Sequence, residues 1–308
     1  MSHLVHAIED VRVKEPIVCI GNFDGVHLGH RMLLARMREL AQRERRPGLV
    51  VTFFPPAKVV FGHATFLTSA EEKLDLLEAF APDTVVMIPF DREYARTDKA
   101  HFVDELRRLA PHTIIVGEDF RFGHQRAGGL NDLSPIAGKL EAFGLRTFEG
   151  EVVKSSHVRE HLKEGRVERA NALLGAPYRA RGRVQEGQRR GRSIGFPTAN
   201  VVTDPKKALP VGVFAVTVEV GGVQHRGMAN VGPRPSFPEE PPSLEVHLFD
   251  FDGELYGETI TTAFHALLRG QMRFASLDEL QAQLRKDEAD ARAALAAPGV
   301  PPERPPRP

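Results

Sequence analysis

Strand-like and helix-like segments alternate along the chain until about Tyr178, and there the pattern gives way to one extended run after another. In the first part, Ile17-Val18-Cys19-Ile20 is a short apolar run. A glycine-rich turn follows, then a helix over residues 31–42, where Met32, Leu33, Leu34, Met37 and Leu40 recur near helical spacing. Residues 49–53 read as a buried strand, 71–80 as a helix, 84–88 as extended, 99–109 as a helix and 113–117 as extended. This order predicts a parallel sheet covered by helices. In such sheets the ligand sits beyond the carboxyl ends of the strands, so the loops after Ile20, Phe53 and Val116 are the places to look. Ser155-Ser156 reads as the cap of a helix over 157–174, ended by Gly175 with Pro177 just beyond.

In the second part, residues 211–220 are rich in β-formers, Gly221-Gly222 follows, and another extended run comes after, which is a hairpin signal. Residues 244–250 and 258–268 add strands with no helix between them and predict a small antiparallel barrel. An amphipathic helix over 277–296, with Leu277, Leu280 and Leu284 on one stripe, closes it. The division is expected near Tyr178, giving units 1–178 and 179–297 and a disordered Pro-rich tail, 298–308, that cannot bury enough surface to order itself. A length of 308 residues suits two domains.

Charge removes several classes of function. Lys+Arg and Asp+Glu both total 41, so no whole-molecule field favours a nucleic acid or an anionic membrane. The first residues lack the basic and apolar regions of a secretory signal, and no segment approaches the ~18 apolar residues of a membrane span. A single cysteine, Cys19, excludes an intrachain disulfide framework and a Cys-rich zinc site and fits a reducing cytoplasm.

Four clusters carry chemistry. The first is the loop Gly21-Asn22-Phe23-Asp24-Gly25-Val26-His27-Leu28-Gly29-His30. Its glycines allow close approach of a phosphate. His27 and His30, three apart where a helix begins, offer two imidazoles beside helix N–H groups to an anionic phosphoryl transition state. Paired histidines also suit a metal, although no nearby cysteine or third histidine completes a zinc set. The second cluster, Ser155, Ser156 and Arg159, reads on its own first as a plain N-cap with a solvated arginine and otherwise as an anion site. In the third, Thr198 and Asn200, two apart on an extended segment, present hard oxygens suited to Mg²⁺; the alternative is a Gly/Pro turn entering a strand. In the fourth, Glu245 shares with His247 the strand face opposite Leu244, Val246 and Leu248, which on pattern alone reads as a solvated face.

With these residues set out, the chain resembles the prokaryotic bifunctional riboflavin kinase/FAD synthetase family. Gly21–His30 resembles its nucleotidyltransferase loop. Residues 116–123, Val-Gly-Glu-Asp-Phe-Arg-Phe-Gly, resemble its second signature, and Ser155-Ser156-His157-Val158-Arg159 its third. In the second half, Gly191-Arg192-Ser193-Ile194-Gly195-Phe196-Pro197-Thr198-Ala199-Asn200 resembles the Pro-Thr-x-Asn motif of riboflavin kinases. The match runs on through residues 209–214, 229–237, 244–248, Asp250, 255–257, 268–269 and 273–274, collinear from about 17 to 292. His157 and Ser236 stand where the family usually has Thr. Thr52-Phe53-Phe54-Pro55-Pro56-Ala57 lacks the acid and the histidine of the corresponding family segment.

The resemblance implies a Rossmann-like α/β nucleotidyltransferase domain with a His-x-Gly-His motif, followed by a small antiparallel β-barrel riboflavin kinase domain with a C-terminal helix. It implies ATP-dependent phosphorylation of riboflavin to FMN, then adenylylation of FMN to FAD with release of pyrophosphate, with Mg²⁺ as metal and small molecules as partners. Glu245 would be the base, and Thr198 and Asn200 the metal ligands. His27 and His30 would stabilise phosphate charge, with Ser156 and Arg159 on the leaving pyrophosphate. Gly21, Asn22, Phe23, Asp24, Gly25, Gly29, Asp119, Phe120 and Ser155 would line the nucleotide and flavin site of the first domain, and Gly195, Pro197 and Arg269 that of the second. Two alternatives stand beside this reading: a monofunctional riboflavin kinase with a degenerate first domain, and a non-catalytic flavin-binding module.

Overall fold

The computed structural model describes residues 2–186, 195–232 and 243–297. The chain divides into two compact units between Ser155 and Ser156. The first holds β1 (His3–Val5), β2 (Ile17–Ile20), α1 (Leu28–Glu44), β3 (Gly48–Phe54), α2 (Ala57–Val60), α3 (Ala70–Glu78) and β4 (Thr84–Pro89). It continues with α4 (Lys99–Arg108), β5 (Thr113–Gly117), α5 (Leu130–Leu133), β6 (Lys139–Phe143) and a small antiparallel pair, β7 (Thr147–Phe148) and β8 (Glu151–Val152).

The main sheet runs in the order β1-β4-β3-β2-β5-β6, and every neighbouring pair is parallel. Both faces are covered, as a parallel sheet requires. Ile17 and Cys19 of β2 pack with Leu33, Leu34, Met37 and Leu40 of α1 on one face. Val18 and Ile20 pack with Phe102, Val103 and Leu106 of α4 on the other. The chain steps outward from β2 through β3 to β4, then crosses back under α4 to place β5 on the far side of β2. The strand order therefore reverses at β2, and the loops after β2 and β5 flank the crevice where open α/β sheets take their ligands.

α6 (Ser155–Lys163) begins at the last residue of the first unit; from Ser156 on, the second unit continues with α7 (Val167–Leu174), β9 (Tyr178–Gln185), β10 (Ala199–Val202), β11 (Gly212–Val220), β12 (Val223–Gly232), β13 (Ser243–Leu248), β14 (Thr259–Arg269) and α8 (Leu277–Leu295). Six strands close into an antiparallel barrel, β10-β13-β12-β11-β14-β9, and closure leaves no unpaired sheet edge. Phe214, Val216 and Val218 of β11 are fully buried, with the Phe214 ring edge-on to Phe264 at 5.5 Å. The opposite face of β11 presents Ala215, which with Met228, Phe196 and Phe249 receives Ala291 and Leu295 of α8.

Three expectations change. The helix expected over 157–174 is two helices. The break holds Gly165 at φ +73, where a Cβ would lie 2.8 Å from the carbonyl oxygen of Val211, so the loop approaches the barrel too closely for a side chain. The units part at Ser155/Ser156 rather than near Tyr178, because α7 packs on the barrel through β9 and β14. The buried stripe of α8 is Asp287, Ala291 and Leu295 with Leu284 beside it, whereas Leu277 is 58% exposed. Residues 191–194 of the Pro-Thr-x-Asn segment, residues 233–237 with Ser236, and the 298–308 tail lie outside the described residues.

Candidate active site

The loop between β2 and α1 is wound tightly. Phe23, Gly25 and Val26 take φ values of 45, 83 and 43. Phe23 and Val26 are fully buried, so their side chains anchor the turn from below. Asp24 is buried, and its carboxylate accepts the N–H groups of Leu67 (2.8 Å) and Thr68 (3.2 Å). The Asp24 carbonyl accepts the Ser155 hydroxyl at 2.8 Å, which brings together two expected site residues 131 positions apart.

His27 caps α1. Its Nδ1 accepts the His30 N–H at 3.3 Å, which leaves the proton of the neutral ring on Nε2. The two imidazoles stack with centroids 3.6 Å apart and planes 14° from parallel. A Cβ at Gly29 would press on the His27 ring at 3.3 Å, which explains the glycine between them. Burial, the stacked His27 and the Lys73 ammonium hold His30 well below the usual imidazole range. Its Nδ1 is buried with no hydrogen-bond partner among the described residues, so a ligand oxygen there would satisfy it. The His27 Nε2, the buried His30 ring and the head of a helix form a surface for an anion.

Asp119 and Phe120 follow β5, which pairs with β2 in parallel, so their loop leaves the sheet at the same end as the histidine loop. Asp119 is exposed and Phe120 half-buried, its ring stacked on Phe122 at 5.7 Å. Ser156, His157 and Arg159 are half-buried on α6, on the other side of the division between the units.

On the barrel, Asn200, Glu245 and Asn230 stand directly opposite one another on β10, β13 and β12. Residues so paired have their side chains on one face within contact distance. Gln271 Nε2 donates to Asn230 Oδ1 and to the Val231 carbonyl, both at 2.9 Å. Glu245 is half-buried. His247, expected on a solvated face, is 9% exposed, donates from Nδ1 to the Pro197 carbonyl at 2.8 Å and lies between Phe196 and Phe249. Thr198 precedes β10 by one residue and lines a pocket with Pro197, Val246, Leu248, Phe251 and Tyr256. Gly195, at φ +82, is exposed. Arg269 is committed elsewhere: its Nε lies 3.0 Å from both carboxylate oxygens of the buried Asp287, which fastens α8 to β14.

Comparison with known proteins gives the two halves the same assignment. The FAD synthetase family model matches residues 10–158, and the riboflavin kinase model matches residues 174–295. The bifunctional riboflavin kinase/FMN adenylyltransferase of Escherichia coli is 38% identical over 299 residues, 94% of this chain and 95% of that protein. That of Bacillus subtilis is 34% identical over 304 residues, 94% and 96% of the two chains. The chain belongs to the bifunctional riboflavin kinase/FMN adenylyltransferase family. The Pseudomonas fluorescens member of this family is 37% identical, with 96% and 99% covered. A solved structure described as a macrolide-efflux protein from Streptococcus pneumoniae is 28% identical with a TM-score of 0.84, covering 94% of this chain and 98% of its own. No helix among the described residues is long and apolar enough to cross a membrane.

Within this riboflavin kinase/FMN adenylyltransferase framework, three residues went unnoticed in the sequence. Asn230 and Gln271 extend the polar row around Glu245, a relation that only strand register reveals. Lys73 is fully buried beneath the histidine loop. Its sequence signal was its place four residues before the buried Leu77, on the apolar stripe of α3.

Proposed function

We propose that this chain makes FMN and then FAD, each step on its own unit. The observation that carries this reading is the collinear match of both families, over residues 10–158 and 174–295, on a chain whose fold divides near the end of the first match into an α/β unit and a unit with a closed barrel.

In the barrel, the riboflavin 5′-hydroxyl attacks the γ-phosphorus of ATP. The new O–P bond forms as the bond to the β,γ-bridging oxygen breaks, and ADP leaves. Glu245, opposite Asn200 and Asn230 on the adjoining strands, takes the hydroxyl proton. Thr198 and Asn200 supply hard neutral oxygens that fit Mg²⁺ and would hold it. When bound, the ion neutralises charge on the ATP phosphates. Gly195 and Pro197 lie on the same segment and would border the nucleotide.

In the α/β unit, a phosphate oxygen of FMN attacks the α-phosphorus of a second ATP and pyrophosphate leaves. His27, with Nε2–H as donor, and the neutral His30 stabilise charge on the phosphates without adding a formal positive charge. Asp119 and Phe120, on the loop after β5, border the flavin.

The test is a time course with riboflavin and Mg-ATP, separating flavins by chromatography. FMN should rise first and FAD follow. FMN without FAD would make the chain a kinase alone, and flavin binding without turnover would make it a binding module.

A further inference from the structure

Lys73 lies beneath the histidine loop with no solvent exposure. Its ammonium donates to the Asn22 carbonyl and to the Phe53 carbonyl, both at 2.8 Å, and sits 5.5 Å from the centroid of the Phe54 ring. One side chain of α3 thus joins the end of β3 to the loop that follows β2. The charged and titratable groups that face it are Asp24 from the loop and His30 from α1. The Asp24 carboxylate is engaged by backbone N–H groups of Leu67 and Thr68, and that of the neighbouring Glu72 by the N–H of Ser69.

The Asn22 carbonyl also accepts the Thr52 hydroxyl at 3.1 Å. With that oxygen held from below by two donors, the planar peptide turns its other edge, the Phe23 N–H, the opposite way. Phe23 itself has φ 45 and Val26 has φ 43, conformations that side-chain-bearing residues keep only when their surroundings impose them. The Lys73 charge also lowers the basicity of His30.

We propose that Lys73 is a positioning residue for adenylyl transfer: through the Asn22 carbonyl it holds the loop from Gly21 to His30 in its strained form with the Phe23 N–H toward the phosphates. This rests on the reading of the first unit as an FMN adenylyltransferase. Burial pushes the Lys73 ammonium down to about 8, with Asp24 opposing the shift. The charge is therefore present below that pH and lost above it.

The experiment follows FAD formation from supplied FMN and Mg-ATP against pH, with FMN formation from riboflavin as the internal control. In the full chain, kcat for FAD formation should fall on an alkaline limb near pH 8 that the kinase step does not share. Lys73→Met should lower that kcat about 10- to 100-fold, the range for losing hydrogen bonds from a charged donor, with a smaller change in KM, and should remove the limb. Phe54→Glu puts a carboxylate beside the ammonium and should move the limb upward by about one pH unit or more. A limb that persists in Lys73→Met, or stays in place in Phe54→Glu, overturns the proposal. Should Lys73→Met fail to fold by circular dichroism, the wild-type and Phe54→Glu profiles decide it. A wild-type chain that makes no FAD defeats the adenylyltransferase reading, whereas FAD formation without the limb defeats only the role of Lys73.

Discussion

His265 on β14 shares a hydrogen bond of 2.9 Å between its Nε2 and the Thr217 hydroxyl on β11. Burial, helped by Arg179, pushes its imidazole down to about 4. In the unfolded chain the same ring titrates at its usual ~6.5. Between these values the unfolded chain binds a proton that the folded barrel refuses. The stabilisation is therefore complete above about 6.5 and lost as pH falls toward 4. The melting temperature of the barrel should drop between pH 7 and pH 5, and His265→Gln should flatten that drop, both read by calorimetry. An unchanged slope in the variant would assign the acid sensitivity to other groups. Nothing in the sequence set His265 apart, because its burial comes from strand pairing. His27 and His30 were legible, since their spacing at a helix start fixes their relation wherever the helix packs.

Elements were read best where periodicity is local. The alternation of α1, β3, α3, β4, α4 and β5 was legible because each strand is an apolar run and each helix carries an apolar stripe. In β9, Tyr178, Ala180 and Val184 alternate with exposed Arg179, Arg183 and Gln185, a period-two signal that its charge masks in the sequence. The break at Gly165 was not legible, since its cause is the Val211 carbonyl of a distant loop. That break has a consequence for dissection. α7 buries Val167, Ala170, Leu173 and Leu174. Asn171 bonds the Phe264 carbonyl at 2.8 Å and the Tyr178 N–H at 2.7 Å, and Glu168 accepts the Leu267 N–H at 2.8 Å. A fragment of residues 179–297 discards all of this. At roughly 1.5–3 kcal/mol per buried large side chain, the loss is about 5 kcal/mol, comparable to the stability of a small domain. The fragment 156–297 should melt cooperatively and phosphorylate riboflavin, while 179–297 should melt at least ~10 °C lower or not fold. Equal melting curves by circular dichroism would show that α7 adds nothing to the barrel.

At the scale of the whole molecule, two chemistries that share ATP are assigned to separate sets of residues, and their separability is the sharpest consequence. The kinase step must remove a proton from a ribityl hydroxyl, so it needs a base. The adenylyl step uses a phosphate already ionised at neutral pH, so it needs none. Glu245→Gln keeps the size and one acceptor oxygen beside Asn200 and Asn230 but removes the charge that takes the proton. Loss of general-base catalysis costs ~10²–10⁴-fold, so riboflavin phosphorylation should fall by that order with little change in riboflavin binding, while FAD formation from supplied FMN stays near wild type. The double change His27→Ala with His30→Ala removes the stacked donor pair at the head of α1 and should give the opposite pattern: FMN accumulates from riboflavin and FAD does not form. Both activities are measured on the full chain with intact folding checked by circular dichroism. Loss of both activities in Glu245→Gln would falsify the division of labour between the units. Loss of neither would make Glu245 a strand residue with no part in proton transfer, and the base would then have to be sought among the other groups of the barrel.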